Sequence, residues 1–155
     1  CAGQCWHWLD RAAAARQARR VLVPGGRLIL AHFDWITQPG NVVEATEHLI
    51  ERHNPAWKMG GGNGIHAYEL ADAARGGFSD IESFSFDVTV AYTHEAWRGR
   101  IRASAGVAAS LPPDAVGVFD ADLGALLRRD FPDEVLAVPH RVWAVIANLT
   151  ASSTR

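Results

Sequence analysis

Apolar residues fall into two kinds of pattern along this chain. Residues 28–33 and 142–149 are apolar at nearly every position. Unbroken runs of that length predict strands covered on both faces, as in a parallel sheet. Residues 81–92 alternate instead. Phe84, Phe86, Val88, Val90 and Tyr92 share one face, and Ser83, Ser85, Asp87 and Thr89 share the other. This strand is expected to be buried on one side only, or to lie at a sheet edge.

Between the strands the spacing turns helical. Ala12 to Ala15 and Ala18 are strong helix formers, and Asp10 stands where it can cap a helix running to Leu22. The basic residues late in that helix, Arg19 and Arg20, suit its dipole. Asn41 followed by Glu44 fits a capping pattern, and Val42, Ala45, Leu49 and Ile50 follow at helical spacing to about His53. A third helix is expected over 67–75, stopped by Gly76 and Gly77. Thr93 caps a fourth, reaching about Ala109. Pro112-Pro113-Asp114 opens a fifth, with Val116, Phe119, Leu123, Leu126 and Leu127 on one stripe. Residues 55–63 read as a mobile loop. Strands joined through helices predict an α/β fold with a largely parallel sheet. One domain is expected over 1–150, and the polar tail 151–155 is expected to fray.

Composition narrows the class without naming it. The 155 residues suffice for one compact core. At 48 % hydrophobic and 21 % charged, the chain has the balance of a globular protein and not of a disordered one. A net charge of -2 gives no basic footprint for nucleic acid and no polybasic patch for a membrane, so neither partner is expected. No apolar run approaches the roughly 20 residues of a membrane span, and no signal peptide is apparent. Cys1 and Cys5 lie four apart, where a disulfide would staple nothing. A reducing, cytoplasmic location is the expectation. Together with His7 they match no zinc spacing and lack a fourth ligand, so no metal is expected. The chain begins on Cys in an aromatic-rich stretch, and reads as a fragment whose N-terminal part is absent.

Candidate chemistry is concentrated at three places. Gly25-Gly26 follows a helix and precedes a strand. A phosphate loop needs the reverse order, so this pair reads as a hinge. Gly60 to Gly64 precedes a helix but follows no strand, and reads as a loop or lid. Six tryptophans are many for this length and must be buried or line a concave site. Gln4, Trp6, His7 and Trp8 lie just before the first helix. Two readings stand: a ligand mouth at the carboxyl end of a strand, or packing of the helix on the sheet. Phe33, Asp34 and Trp35 end the first long strand and are candidates for the same mouth, with Asp34 alternatively capping a turn. His32 reads as a satisfied core residue. His94, Trp97 and Arg98 follow the second strand and either face the mouth or form an exposed first turn. His48, His53, His66 and His140 are isolated, with no nucleophile–base signature. No G-x-S-x-G elbow supports a serine hydrolase.

Three stretches carry a resemblance: QCWHWLD at 4–10, RVLVPGGRLIL at 20–30 and GFSDIE at 77–82. Together they resemble the C-terminal half of class I S-adenosylmethionine-dependent methyltransferases. The likeness is to the small-molecule type that includes trans-aconitate and ubiquinone/menaquinone methyltransferases. THEAWRGRIR at 93–102 and VPHRVW at 138–143 are similar to the same group. The resemblance implies the C-terminal part of a Rossmann-like sheet with flanking helices. Residues 28–33 would be strand five, 81–92 strand six at the edge, and 142–149 strand seven, antiparallel and inserted beside strand five.

It also implies methyl transfer from S-adenosylmethionine to a small-molecule acceptor, as part of a longer or complemented domain. The family's glycine-rich cofactor loop and the acidic residue after its second strand have no counterpart here, so the chain alone is expected to be inactive. Gln4, Trp6, His7 and Trp8 match the segment after strand four, near the cofactor's methionine moiety. The reaction is an in-line displacement that depends chiefly on alignment. Trp6 and Trp8 could attract the sulfonium, and His7, Asp34 and His94 are the candidate bases. Phe33, Trp35, Trp97 and Arg98 are the expected substrate contacts, under a lid formed by residues 35–66 and the helix after Thr93. Two other readings stand beside this one. The first is a non-catalytic α/β half-domain associating through the exposed edge of 28–33. The second, half of a nucleotide-dependent oxidoreductase, lacks its own glycine fingerprint.

Overall fold

A computed structural model describes residues 1–150, and the expected frayed tail at 151–155 lies outside them. The fold is mixed α/β, with four strands and five α-helices among the described residues. In chain order these are β1 (Ala2–Gly3), a single 3-10 turn (Trp6–Trp8), α1 (Arg11–Val21), β2 (Arg27–Trp35), α2 (Val42–His53), α3 (Tyr68–Arg75), β3 (Ser79–Thr93), α4 (His94–Arg102), α5 (Pro113–Asp130) and β4 (Val135–Asn148). None of these helices is long and apolar enough to cross a membrane.

The strands form one sheet in the order β1-β2-β4-β3. β1 runs parallel to β2, with Ala2 opposite Leu30 and Gly3 opposite Ala31. β4 runs against both of its neighbours. Leu149 exchanges backbone bonds with Gly25 and Gly26 before the start of β2, whereas Pro139, ten residues earlier, accepts from Ile36, ten residues later than Gly26. Against β3, Asn148 meets Asp80 and Arg141 meets Asp87. Seven residues forward on one strand match seven back on the other, which is an antiparallel register. The expectation of a largely parallel sheet is therefore corrected: one reversed strand in the middle makes two of the three pairings antiparallel. β3 lies at the edge, as its alternation predicts.

The chain divides into two compact units. The first comprises Cys1–Asp34, Gly64–Asp87 and the chain from Arg141; the second comprises Trp35–Asn63 and Val88–His140.

In the first unit Asp10 caps α1 by accepting from the Ala13 amide at 2.9 Å. The helix ends before Pro24. Gly25 then takes φ +76°, a left-handed conformation that favours glycine, and turns the chain into β2. A Cβ on Gly26 would stand 2.8 Å from the Val23 carbonyl oxygen, so both glycines serve the hinge. β2 alternates. Leu28, Leu30 and His32 are buried, whereas Ile29 and Phe33 are each 37 % exposed. The prediction that both faces of this strand are covered does not hold: a side chain reverses at each step, and only the even-numbered face meets a core. That core joins Trp6, Ala15, Leu28, Leu30, Ala73, Phe78, Trp143 and Val145. In β4 three consecutive residues, Trp143, Ala144 and Val145, are buried, as expected of a strand covered on both sides. On β3, Phe84 and Phe86 stack on each other with centroids 6.3 Å apart but remain about half exposed.

In the second unit Asn41 caps α2 by accepting from the Glu44 amide at 2.9 Å, and Glu44 accepts from Gly40 in return. Thr93 caps α4 in the same way, through Ala96. The helix expected to reach Ala109 stops at Arg102. Beyond it Gly106 packs where a Cβ would lie about 3 Å from Ile50 and Trp57. The stripe on α5 buries Phe119, Leu123, Leu126 and Leu127 against Val43, Leu49, Trp97 and Ile101.

Candidate functional site

The polar site of the first unit is assembled at the carboxyl end of β2. His32 and Asp34 are two apart on a strand and so project from the same face. β1 runs alongside in parallel, and its continuation brings Gln4 level with them. The Gln4 amide nitrogen donates to the Ala31 carbonyl at 2.9 Å, and the residue takes φ +55°. A non-glycine residue in that region carries about 1 kcal/mol or more of strain and persists only where its surroundings fix it. Here the side chain does so. Its Nε2 donates to the Phe33 carbonyl at 2.8 Å and to Asp34 Oδ1 at 3.2 Å, which turns its Oε1 toward His32 Nδ1 at 2.9 Å.

His32 is buried between two acceptors. On its far side Nε2 donates to Glu69 Oε1 at 2.7 Å, and both of these side chains are fully buried. Glu69 reaches this position from the first turn of α3, and its second oxygen accepts from the Trp143 indole at 3.2 Å. His66, just before α3, stacks on His32 with centroids 3.7 Å apart and planes 20° from parallel. Its Nε2 lies 2.7 Å from Asp34 Oδ2, and Tyr68 Oη lies 3.4 Å from its Nδ1. His7 stands next in line, its ring centre 5.7 Å from His32 and 4.7 Å from Trp8. Its Nδ1 is buried and has no hydrogen-bond partner among the described residues.

Charge follows from these contacts. Burial alone would raise the Asp34 carboxyl, but hydrogen bonds from His66 and Gln4, and the charge of His66 and His32, outweigh it and hold the group below its ordinary value. It is a carboxylate at neutral pH. Burial pushes the His7 imidazole down, and the neighbouring His32 and His66 push it further. Both effects disfavour the charged form of His7.

The expected site residues separate. Gln4, His7 and Asp34 meet in this cluster. Trp8, 56 % exposed, borders it beside His7. Phe33 contributes its carbonyl oxygen to Gln4 and directs its ring to the other face of β2. Trp6 follows the packing alternative: it is 2 % exposed in the core, with its indole N–H bonded to Asp72 at 3.1 Å.

The remaining four lie in the second unit and have structural work there. Trp97 is fully buried and its indole donates to Thr46 Oγ1 at 3.1 Å. Arg98 is held by Asp120 and Glu95. His94 Nε2 donates to the Phe131 carbonyl at 2.9 Å, closing the end of α5. Trp35 donates to Glu47 Oε1 at 2.9 Å and meets Trp97 edge-on.

His32 is buried with partners at both ring nitrogens, as expected of a satisfied core residue, but its link to His66 and Glu69 is not visible in the sequence. His32 carried one usable signal, its two-residue spacing from Asp34. His66 and Glu69 are 34 and 37 residues from His32 in the chain, and only the fold joins them.

Comparison with known proteins gives a likeness of structure alone. No protein-family model and no curated protein sequence matches the chain. Among solved structures it is similar to phosphoethanolamine N-methyltransferase 2 of Haemonchus contortus in complex with phosphomonomethylethanolamine and S-adenosylhomocysteine. The identity is 17 % and the TM-score 0.40, over 96 % of this chain and 32 % of that one. It is also similar to a Bacillus halodurans protein named as a candidate methyltransferase, with 14 % identity and TM-score 0.43, over 90 % of this chain and 63 % of that one. A third similar structure is the YcgJ protein of Bacillus subtilis, with 13 % identity and TM-score 0.48, over 98 % of this chain and 63 % of that one. The chain thus spans less than two thirds of each of these structures, and the likeness carries no reaction over to it.

Proposed function

We propose that this chain supplies strands five, seven and six of a class I methyltransferase domain that moves a methyl group from S-adenosylmethionine to a small-molecule acceptor. The observation that carries the reading is the strand order. β2, β4 and β3 are neighbours in that order, and β4 runs against both. That is what the resemblance asks of strands five, seven and six. β1, parallel to β2, then corresponds to the end of strand four. On this reading the glycine-rich cofactor loop lies in sequence other than this chain, and the chain contributes the methionine side of the site.

The chemistry needs no covalent intermediate. An acceptor lone pair forms a bond to the methyl carbon as the carbon–sulfur bond breaks. The sulfonium becomes a neutral thioether, and the acceptor's proton leaves to solvent or a nearby base. Alignment supplies most of the rate. Trp8 presents an exposed indole face to the sulfonium, and the ionised Asp34 orients a hydroxyl or amine acceptor beside it.

The test is methyl transfer by the full-length protein that contains this chain, assayed with labelled S-adenosylmethionine against phenol, amine and carboxylate acceptors. S-adenosylhomocysteine release that requires an acceptor supports the reading. Absence of turnover together with absence of cofactor binding contradicts it.

A second reading, association through the edge of residues 28–33, meets a sheet in which β1 already pairs that edge at Leu30 and Ala31; what remains for a partner is the partly exposed face of Ile29 and Phe33. Sedimentation velocity is then expected to show a dimer that Ile29→Lys disperses. A monomer at all concentrations contradicts it.

A further inference from the structure

We propose that His32, Asp34 and His66 form a binding site for one divalent first-row transition cation. The proposal stands on the donor set alone and does not depend on methyl transfer. One ligand atom from each residue lies within 4.8 Å of the others. Two imidazoles and one carboxylate, with further positions left for water, are a donor set suited to zinc, cobalt or iron.

The surroundings are those of a built site. Ligating histidines characteristically present their other nitrogen to a carboxylate or another polar group, which orients the ring. Here His32 Nε2 is held by the buried Glu69 carboxylate at 2.7 Å, leaving Nδ1 toward Asp34 at 4.0 Å. The outer oxygen of Asp34 accepts from Gln4 at 3.2 Å. His66 Nδ1 lies 3.4 Å from the Tyr68 hydroxyl. Each of the three donors therefore has an outer partner from a different residue. His7, its ring centre 5.7 Å from that of His32, carries a buried Nδ1 with no hydrogen-bond partner among the described residues. The direct His66–Asp34 contact at 2.7 Å is the arrangement the two groups take as hydrogen-bond partners. An ion would replace the proton between them and the one that His32 Nδ1 directs to Gln4 Oε1, and the stacked His32 and His66 rings would turn so that both lone pairs reach it.

Cobalt(II) serves as the probe, titrated into chelator-treated protein and followed by its visible absorption, with zinc as competitor. One equivalent is expected to bind with the absorption of nitrogen and oxygen ligation, and zinc is expected to displace it. His66→Ala and Asp34→Asn should each abolish the signal while circular dichroism stays unchanged. Glu69→Gln, which keeps an acceptor for His32, should weaken binding about ten- to a hundredfold. His48→Gln, at an exposed position on α2, should leave it intact. The proposal is overturned if cobalt does not bind stoichiometrically. Binding that survives both His66→Ala and Asp34→Asn overturns it equally, since the ion then sits elsewhere.

Discussion

The residue with the most depending on it is Glu69. It is fully buried on the first turn of α3, with His32 on one oxygen and the Trp143 indole on the other. A buried carboxylate is tolerated only when it is paired and hydrogen-bonded. Glu69→Ala would leave two buried N–H groups without acceptors. Chemical denaturation should show a loss of about 3–5 kcal/mol. A loss below about 1 kcal/mol would mean that water enters and replaces the carboxylate. None of this is visible in the sequence, where Glu69 is one acidic residue on an amphipathic helix. Residue-level reading succeeded where partners are close in the chain. The Asp10, Asn41 and Thr93 caps each bond an amide three residues on. It left Trp6 and Trp97 open, because composition does not distinguish an indole that lines a site from one that fills a core.

At the scale of elements, the hinge at Gly25 and the stripe on α5 were legible from local geometry alone. The reach of α4 was not. Its helix-compatible run continues past Arg102, but the chain turns there and Gly106 packs tightly against Ile50 and Trp57. β2 was misjudged for a related reason: an apolar sequence shows what a face tolerates, not what covers it. The pairing of α4 with α5 was also hidden. Arg98 and Arg102 on α4 both bond Asp120 on α5. Burial alone would raise the Asp120 carboxyl, but the two guanidinium groups outweigh it and hold it below its ordinary 3.8. A carboxyl depressed in the folded state adds stability above its unfolded value and loses it as pH falls through the folded value. Asp120→Asn should therefore narrow its stability gap from the parent protein on acidification below about pH 4. Urea midpoints of the two proteins across that range read the effect, and a gap constant with pH would contradict it.

For the whole molecule, the order of elements and the edge position of β3 were legible in the hydrophobic pattern, whereas the reversed central strand was expected from the resemblance and not from periodicity. The fold also shows that the histidines, aspartate and glutamine of the first unit form one connected cluster rather than scattered polar residues. The central claim is that this cluster, bordered by Trp8, is the methionine side of an S-adenosylmethionine site. Calorimetric titration of S-adenosylhomocysteine into the complete domain that the proposal calls for tests it most directly. The account predicts saturable binding that Trp8→Ala weakens about fivefold or more, a ratio worth about 1 kcal/mol and within the range of one cation–π contact. His48→Gln should leave it unchanged. Binding of equal strength in the parent and in Trp8→Ala, or none in the parent, would contradict the account.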